Sequence, residues 1–332
     1  MKPVLFVTNY APAFRVGAFA ALHEREDVVF ALIGGGVRHG GAVEAAAPFP
    51  VVRPPERGVG RLAASGRFRA VVAGLSGRVA LPSAYLGARV ARIPFVLWAT
   101  IWAHPRTPAH ALSYLPLRHI YRHADAVVTY GPHVSAYARG KGASVVFEAP
   151  QSVDDAFWSG AATPERRAPF QALFAGRPAP EKGLDVLREA WRAAALADAE
   201  LVVATDEAPE RMRNFYAGSD VVVVPSIPTR DFLEPWGLVV NEAFDRGVPV
   251  IATDAVGAAA GGLVQHDRTG LVVPAGDPAA LAAALTRLHG DPDLRARLAA
   301  AAREAVRGYS HTAWAEGVSA ALQAARASRK PC

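Results

Sequence analysis

The sequence predicts an α/β protein made of two doubly wound, Rossmann-like domains. Short β-rich runs alternate with helical stretches from end to end, the pattern of a parallel sheet wrapped by crossover helices. The rhythm lapses once, over Pro150 to Pro169, where small, polar and charged residues replace periodicity, and then restarts. A chain of 332 residues, 51% of them hydrophobic, exceeds one core and can fill two. The expected domains are residues 1–160 and 161–310, followed by a C-terminal helix and tail over 311–332.

In the first half, apolar runs place strands near Val4–Thr8, Val28–Ile33, Ala70–Ala73, Phe95–Ala99, Ala126–Thr129 and Val145–Glu148. Helices are expected near Gly17–Glu24, Arg78–Arg92, Leu112–His123 and Pro132–Arg139. The second half repeats the order, with strands near Gln171–Ala175, Leu201–Ala204, Val221–Val224, Pro249–Ala252 and Leu271–Val273. Its helices fall near Gly183–Ala195, Glu207–Ala217, Leu238–Arg246, Pro278–His289 and Pro292–Val306, and a last one spans Thr312–Ala327. Sheets of this kind bind ligands outside the C-terminal edges of their strands, so a cleft between the two domains is expected.

The only cysteine is Cys332, which excludes an internal disulfide framework and fits a reducing cytoplasm. The chain starts straight into a strand, with too short an apolar stretch for a signal peptide, and no segment approaches the length that spans a bilayer. The net charge of +6 is uneven: residues 1–165 carry 17 Lys or Arg against 10 Asp or Glu, the remainder 19 against 20. That basic first half suits an anionic acceptor or lipid headgroups. No aromatic–basic cluster or nucleic-acid motif accompanies it, so no nucleic-acid partner is expected. Arg53, Arg57, Arg61, Arg67 and Arg69 form a basic stretch that suits either an anionic membrane or plain solvent.

Two stretches of the second half carry the chemistry. After the strand ending at Ala175 comes Gly176-Arg177-Pro-Ala-Pro-Glu181-Lys182-Gly183, whose Arg and Lys, five positions apart, can neutralise a diphosphate. It lacks Walker spacing. Further on, Glu234-Pro-Trp-Gly-Leu-Val-Val-Asn-Glu242 follows an apolar strand and a loop. Glu234 is placed in the loop entering a helix and Glu242 about two turns along it. The first N–H groups of that helix, at Gly237, Leu238 and Val239, lack intrahelical partners and can meet an anion. The plainer reading makes Asp231 to Glu234 a capping box and Glu242 a solvated charge.

Taken with Asp220-Val-Val-Val-Val-Pro225-Ser226, Gly247-Val-Pro-Val-Ile-Ala-Thr-Asp254 and Gly270-Leu-Val-Val-Pro-Ala-Gly-Asp277, these stretches resemble, in order, the C-terminal domain of retaining glycosyltransferase family 4, glycosyl transferases group 1. The resemblance covers Phe174 to about Tyr309. It implies the GT-B fold, two Rossmann-like domains facing across a cleft with the C-terminal helix returning toward the first. It also implies that Arg177 and Lys182 hold the donor diphosphate and stabilise the departing phosphate, and that Glu234 orients donor-sugar hydroxyls. Glu242 then accepts ribose hydroxyls, and the amides of Gly237, Leu238 and Val239 meet the pyrophosphate. The resemblance further implies retention without a settled protein nucleophile, so the two glutamates are not read as a hydrolytic acid and nucleophile pair.

In the first half, Asn9-Tyr-Ala-Pro-Ala-Phe-Arg15-Val-Gly17 is similar to the family's first loop, whose glycine nears the donor phosphates; Gly17 fits a plain turn glycine equally well, and Gly34-Gly-Gly36 is no dinucleotide fingerprint. The family's active-site histidine falls on Thr100, Trp102 or His104, and His104 is chosen because an imidazole can bond a sugar or relay an acceptor proton. His110, His119 and His123 make no metal pattern, and neither metal nor cofactor is expected. Between Leu201 and Asp220 the chain is shorter than the family, which touches the nucleotide-base pocket.

The expected protein is therefore a cytoplasmic, metal-independent, retaining glycosyltransferase. It would move a sugar from a nucleotide-diphosphate donor to a glycan or lipid-linked hydroxyl acceptor in surface-polysaccharide or glycoconjugate assembly, with peripheral membrane contact through its basic first domain. The alternatives are a catalytically silent GT-B partner or glycan-binding protein, and a nucleotide-sugar epimerase of similar fold.

Overall fold

Buried parallel strands must be apolar on both faces, and the runs that satisfy this set the two sheets. A computed structural model describes residues 1–34 and 47–328. The glycines at 35 and 36 and Cys332 lie outside the described residues. The chain divides into two compact units, one formed by Met1–Ser152 with the segment from Ser310 onward, the other by Val153–Tyr309.

The first unit runs β1 (Val4–Thr8), α1 (Ala13–Glu26), β2 (Val28–Leu32), β3 (Val51–Val52), α2 (Val59–Ala63), β4 (Ala70–Gly74), α3 (Ala80–Val90), β5 (Phe95–Trp98), α4 (Pro108–His123), β6 (Ala126–Thr129), α5 (Pro132–Gly140) and β7 (Val146–Glu148). Its strands pair in parallel in the order β3-β2-β1-β4-β5-β6-β7, with Val4 opposite both Val28 and Ala70. The order reverses direction between β1 and β4, and a doubly wound sheet opens a crevice at such a switch.

The helix α13 (His311–Ala327) belongs to this first unit. Its Trp314, fully buried, packs 5.6 Å from Phe19, 5.8 Å from Trp98 and 6.2 Å from Phe6, ring centre to ring centre. The C-terminal helix is thus part of the aromatic core of the N-terminal sheet, as the sequence anticipates.

The second unit runs α6 (Asp155–Ser159), β8 (Phe170–Ala175), α7 (Leu184–Ala194), β9 (Ala199–Ala204), α8 (Pro209–Gly218), β10 (Val221–Val224), α9 (Val239–Asp245), β11 (Val250–Thr253), α10 (Gly257–Ala260), β12 (Gly270–Val273), α11 (Pro278–Gly290) and α12 (Pro292–Val306). Its strands are also parallel, ordered β12-β11-β10-β8-β9, so the switch lies between β8 and β10. Between β9 and β10 there is only α8. Phe174, Leu187, Val223, Ile251 and Leu285 lie in its core.

Two sequence expectations are corrected here. Arg69 is no part of an exposed basic face, because its guanidinium pairs at 2.7 Å with Glu26, both side chains mostly buried, and Glu26 is also bonded by Ser319 of α13. Arg53, Arg57, Arg61 and Arg67 are exposed. The stretch from Pro150 to Pro169 holds α6, capped by the Asp154 carboxylate on Phe157 N–H at 3.0 Å and anchored by the buried Trp158. Among the described residues no helix is long and apolar enough to cross a membrane.

Candidate functional site

At the switch point of the second unit, the loop after β8 meets the segments after β10. The loop closes with a short 3-10 turn, Pro180–Lys182, and ends at Gly183, the N-cap of α7. Gly183 has φ +67°, and a Cβ there would sit 1.9 Å from the carbonyl oxygen of Pro225. Only glycine permits both the left-handed backbone and that approach. The N–H of Ile227 donates to the carbonyl of Glu181 at 3.0 Å, tying the loop to the chain just past β10.

That staple presents Lys182 to Glu234. The Lys182 ammonium is bonded to the Glu234 carboxylate, whose Oε2 also accepts from the buried Ser226 hydroxyl at 3.3 Å. Glu234 is 7% exposed, so the pair is largely desolvated and each charge depends on the other. Arg177 lies outward, about half exposed, 3.5 Å from Glu181. The two cations of the loop therefore sit differently, one locked and one at the surface.

The turn before α9 is held from inside. The indole Nε1 of Trp236 donates to Asn241 Oδ1 at 2.7 Å, with both residues buried. Gly237 takes φ +91°, and Val240 N–H bonds back to the Gly237 carbonyl at 3.0 Å. The helix then starts at Val239, with Leu238 as N-cap, later than the sequence suggests. Glu242 is consequently one turn into α9 rather than two, Pro235 precedes the helix, and no helix begins where the Asp231–Glu234 capping box was an option. Gly237, Leu238 and Val239 stand where helix-start N–H groups lack intrahelical partners.

Glu242 accepts a 2.6 Å hydrogen bond from the fully buried Tyr216 hydroxyl of α8. Sequence reasoning missed this partner, since 26 positions separate the two residues. Desolvation pushes the Glu242 carboxyl up to about 7, an effect that the Tyr216 bond only partly offsets. Asp245, three residues on, is also raised to about 7, by burial and by the nearby Asp155, Glu242 and Asp154 carboxylates.

The sign of this shift sets a testable outcome. A carboxyl whose folded pKa lies above its ordinary 4.5 favours the folded state most when protonated, so its contribution is complete at pH 4 and lost as the pH climbs through 7. Glu242→Gln, which cannot ionise, should match the parent near pH 4 and exceed its stability at pH 8 by about 3 kcal/mol. Denaturation across that pH range measures it. An equal difference at both ends would show that Glu242 does not titrate there.

In the first unit, the switch between β1 and β4 opens a cavity of about 200 Å³, lined by residues that include Thr8, Arg15, Ser76, Trp98, Thr100 and Tyr130. Thr100, one of the three residues weighed for the family's histidine position, is in this lining, whereas His104 is not. The His104 Nε2 lies 2.8 Å from the His110 carbonyl, and its ring packs on His110 and Tyr114 at the start of α4. Gly17 is likewise displaced from its expected place at the start of a helix. It is the fifth residue of α1, and a Cβ there would fall 2.3 Å from the His311 ring of α13. Close helix packing is what this glycine shows, and His311 is in turn held by Ser152 at 2.9 Å.

The two parallel sheets agree with the fold of similar proteins. A family model described as Glycosyl transferases group 1 matches residues 202–305. Among curated relatives, a D-inositol 3-phosphate glycosyltransferase of Xylanimonas cellulosilytica is 42% identical over 115 residues, 34% of this chain and 24% of that protein. Another from Rhodococcus erythropolis is 36% identical over 153 residues, 45% of this chain and 33% of its own length. The matches thus span about a quarter to a third of these relatives.

Over nearly the whole chain, solved structures are similar in fold. Anabaena HepE in complex with UDP and glucose aligns over 97% of this chain and 100% of its own at TM-score 0.71 and 16% identity. Sucrose-phosphate synthase from Thermosynechococcus elongatus aligns over 99% and 100% at TM-score 0.73 and 17% identity. The chain has the GT-B fold.

Proposed function

We propose that this chain is a retaining, metal-independent glycosyltransferase that moves a sugar from a nucleotide-diphosphate donor to a hydroxyl acceptor in surface-polysaccharide or glycoconjugate assembly. The observation that carries the reading is the Lys182–Glu234 bond, which joins the loop after β8 to the segment leading into α9 at a topological switch point. The group 1 family match and the glycosyltransferase activity of the relatives support it. The neighbour structures with UDP and UDP-glucose support a nucleotide-sugar donor.

In this reading the donor diphosphate lies against Lys182, Arg177 and the amides of Gly237, Leu238 and Val239. The bond from the anomeric carbon to the phosphate oxygen breaks, and the nucleoside diphosphate leaves with the electron pair. Lys182 stabilises that developing charge, which is the largest electrostatic demand of the step. The acceptor oxygen bonds to the same face of the anomeric carbon, and its proton passes to the departing phosphate. Glu234, already neutralised by Lys182, serves better as an acceptor for sugar hydroxyls than as a nucleophile. Glu242 accepts the ribose hydroxyls, with Tyr216 fixing its orientation. The first unit takes the acceptor, and its exposed Arg53, Arg57, Arg61 and Arg67 favour the cytoplasmic face of an anionic membrane.

One observation favours a second reading, a silent glycan-binding relative: only α8 separates β9 from β10, where the family resemblance implies elements that flank the nucleotide base. A panel of nucleotide sugars separates the two, because a ligand that binds only the folded chain raises its thermal midpoint. A midpoint rise with one donor, followed by release of its nucleoside diphosphate when acceptor is added, is the expected result. Binding without release favours the silent reading, and an altered sugar released without acceptor favours an epimerase. No response to any donor would overturn the proposal.

A further inference from the structure

The cavity of the first unit contains a cation with no counter-charge among the described residues. Arg15, in the first turn of α1, is 5% exposed. Its Nη2 donates to the Tyr130 hydroxyl at 3.0 Å, and its guanidinium carbon lies 5.2 to 5.5 Å from the ring centres of Phe14, Trp98 and Tyr130. Its other terminal nitrogen, Nη1, is buried without a hydrogen-bond partner, and so is the indole Nε1 of Trp98. No ion pair joins Arg15 to a carboxylate among the described residues. Burial pushes its pKa below the ordinary guanidinium value, and Tyr130 only partly offsets this.

A buried charge is costly unless it is paired. Aromatic faces stabilise a guanidinium but accept no hydrogen bond from Nη1, so the rings alone do not satisfy it. The helix beginning beside it adds to the excess of donors. Its N-cap is Pro12, which offers no side-chain acceptor to the first-turn N–H groups, and both Pro12 and Phe14 line the cavity. Thr8, Ser76 and Thr100 supply hydroxyls on the same lining. The set is rich in donors, positive, and the size of a small polar group.

We propose that this cavity recognises an anionic group, a phosphate or a carboxylate, on a hydroxyl-rich acceptor, with Arg15 and Trp98 as its buried donors and the start of α1 in its lining. The identification of that ligand as the acceptor rests on the transferase reading; the anion preference does not. Arg15 is then a specificity-determining residue. An uncharged sugar leaves its guanidinium unpaired, and an anionic one completes it.

The test compares probes that differ only in charge. Glucose, glucose 6-phosphate and glucuronate, together with inorganic phosphate and acetate, are titrated into the full chain and into Arg15→Lys and Arg15→Met. The phosphate and carboxylate arms show which anion is preferred. Expected is binding of at least one anionic sugar with at least tenfold preference over glucose, weakened tenfold or more in Arg15→Lys, which loses the fork of donors, and abolished in Arg15→Met.

A second readout separates recognition from structure. If Arg15 waits for a ligand, Arg15→Met removes an unpaired buried charge and the ligand-free thermal midpoint rises; a merely structural arginine would lower it. Equal binding of glucose and the anions, or no anion binding in the parent chain, would overturn the proposal. A nucleoside diphosphate panel run on the same samples keeps the two readings apart. Loss of nucleotide binding in Arg15→Met would assign the cavity to the donor and overturn the inference. Anion binding in a chain that ignores every nucleotide would instead sink the transferase reading and leave the cavity's chemistry standing.

Discussion

Lys182→Ala should lower transfer by about 10²–10³-fold, the usual effect of deleting one preorganised electrostatic group at a developing charge. It should also lower stability, because the Glu234 carboxylate, with a side chain only 9% exposed, would lose the ammonium it is bonded to. Breaking a buried pair from one side costs about 3 kcal/mol. The two effects are separable. Adding Glu234→Gln to Lys182→Ala removes the stranded charge, so the thermal midpoint should recover while turnover stays low. Recovery of turnover with stability would mean that Lys182 only props up Glu234 and meets no phosphate.

Gly183→Ala is expected to have the largest structural effect in the second unit. The new methyl would meet the Pro225 carbonyl at 1.9 Å, from a backbone already at φ +67°. The loop must lift, and the Ile227 N–H bond to the Glu181 carbonyl must break with it. A left-handed backbone and a main-chain collision together cost about 3 kcal/mol. Gly262→Ala is the matched control, since Gly262 has φ +84° but open space around its would-be Cβ. That variant should lose about 1 kcal/mol, the conformational part alone. Thermal and denaturant unfolding of the two variants measures the difference, and nucleotide binding should fail only in Gly183→Ala. Equal losses would show that the close approach to Pro225 does not constrain the loop.

How much of this was legible without coordinates follows from where each constraint lies. The strands Val4–Thr8, Ala126–Thr129 and Val221–Val224 have the bounds read from the sequence, because a strand buried on both faces is written as one apolar run. The Lys182 and Glu234 stretches, which the structure joins by a side-chain bond, are each legible as a local pattern after such a run. Residues defined by distant neighbours were not. Tyr216 meets Glu242 across two helices, and Arg69 reads as one charge in a basic stretch until Glu26, 43 positions away, takes it up.

Gly17 and His104 have packing partners that a local resemblance does not express. Glycine five residues into α1 answers to His311 of the last helix, and His104 turns to the carbonyl of His110. Short elements such as Val51–Val52, Asp155–Ser159 and Gly257–Ala260 carry too few residues to express a period. Arg15 lies in the stretch similar to the family's first loop, but its setting among aromatic rings has no signature in sequence.

The central claim is that Lys182 and the amides before α9 receive one diphosphate. Backbone amide resonances, followed while the nucleoside diphosphate selected by the panel is titrated in, test it most directly. Gly237, Leu238 and Val239 should shift in a saturable way with the diphosphate, and little with the matching nucleoside, and the shifts should weaken in Lys182→Ala. Saturable binding that leaves those three amides unmoved would contradict the account.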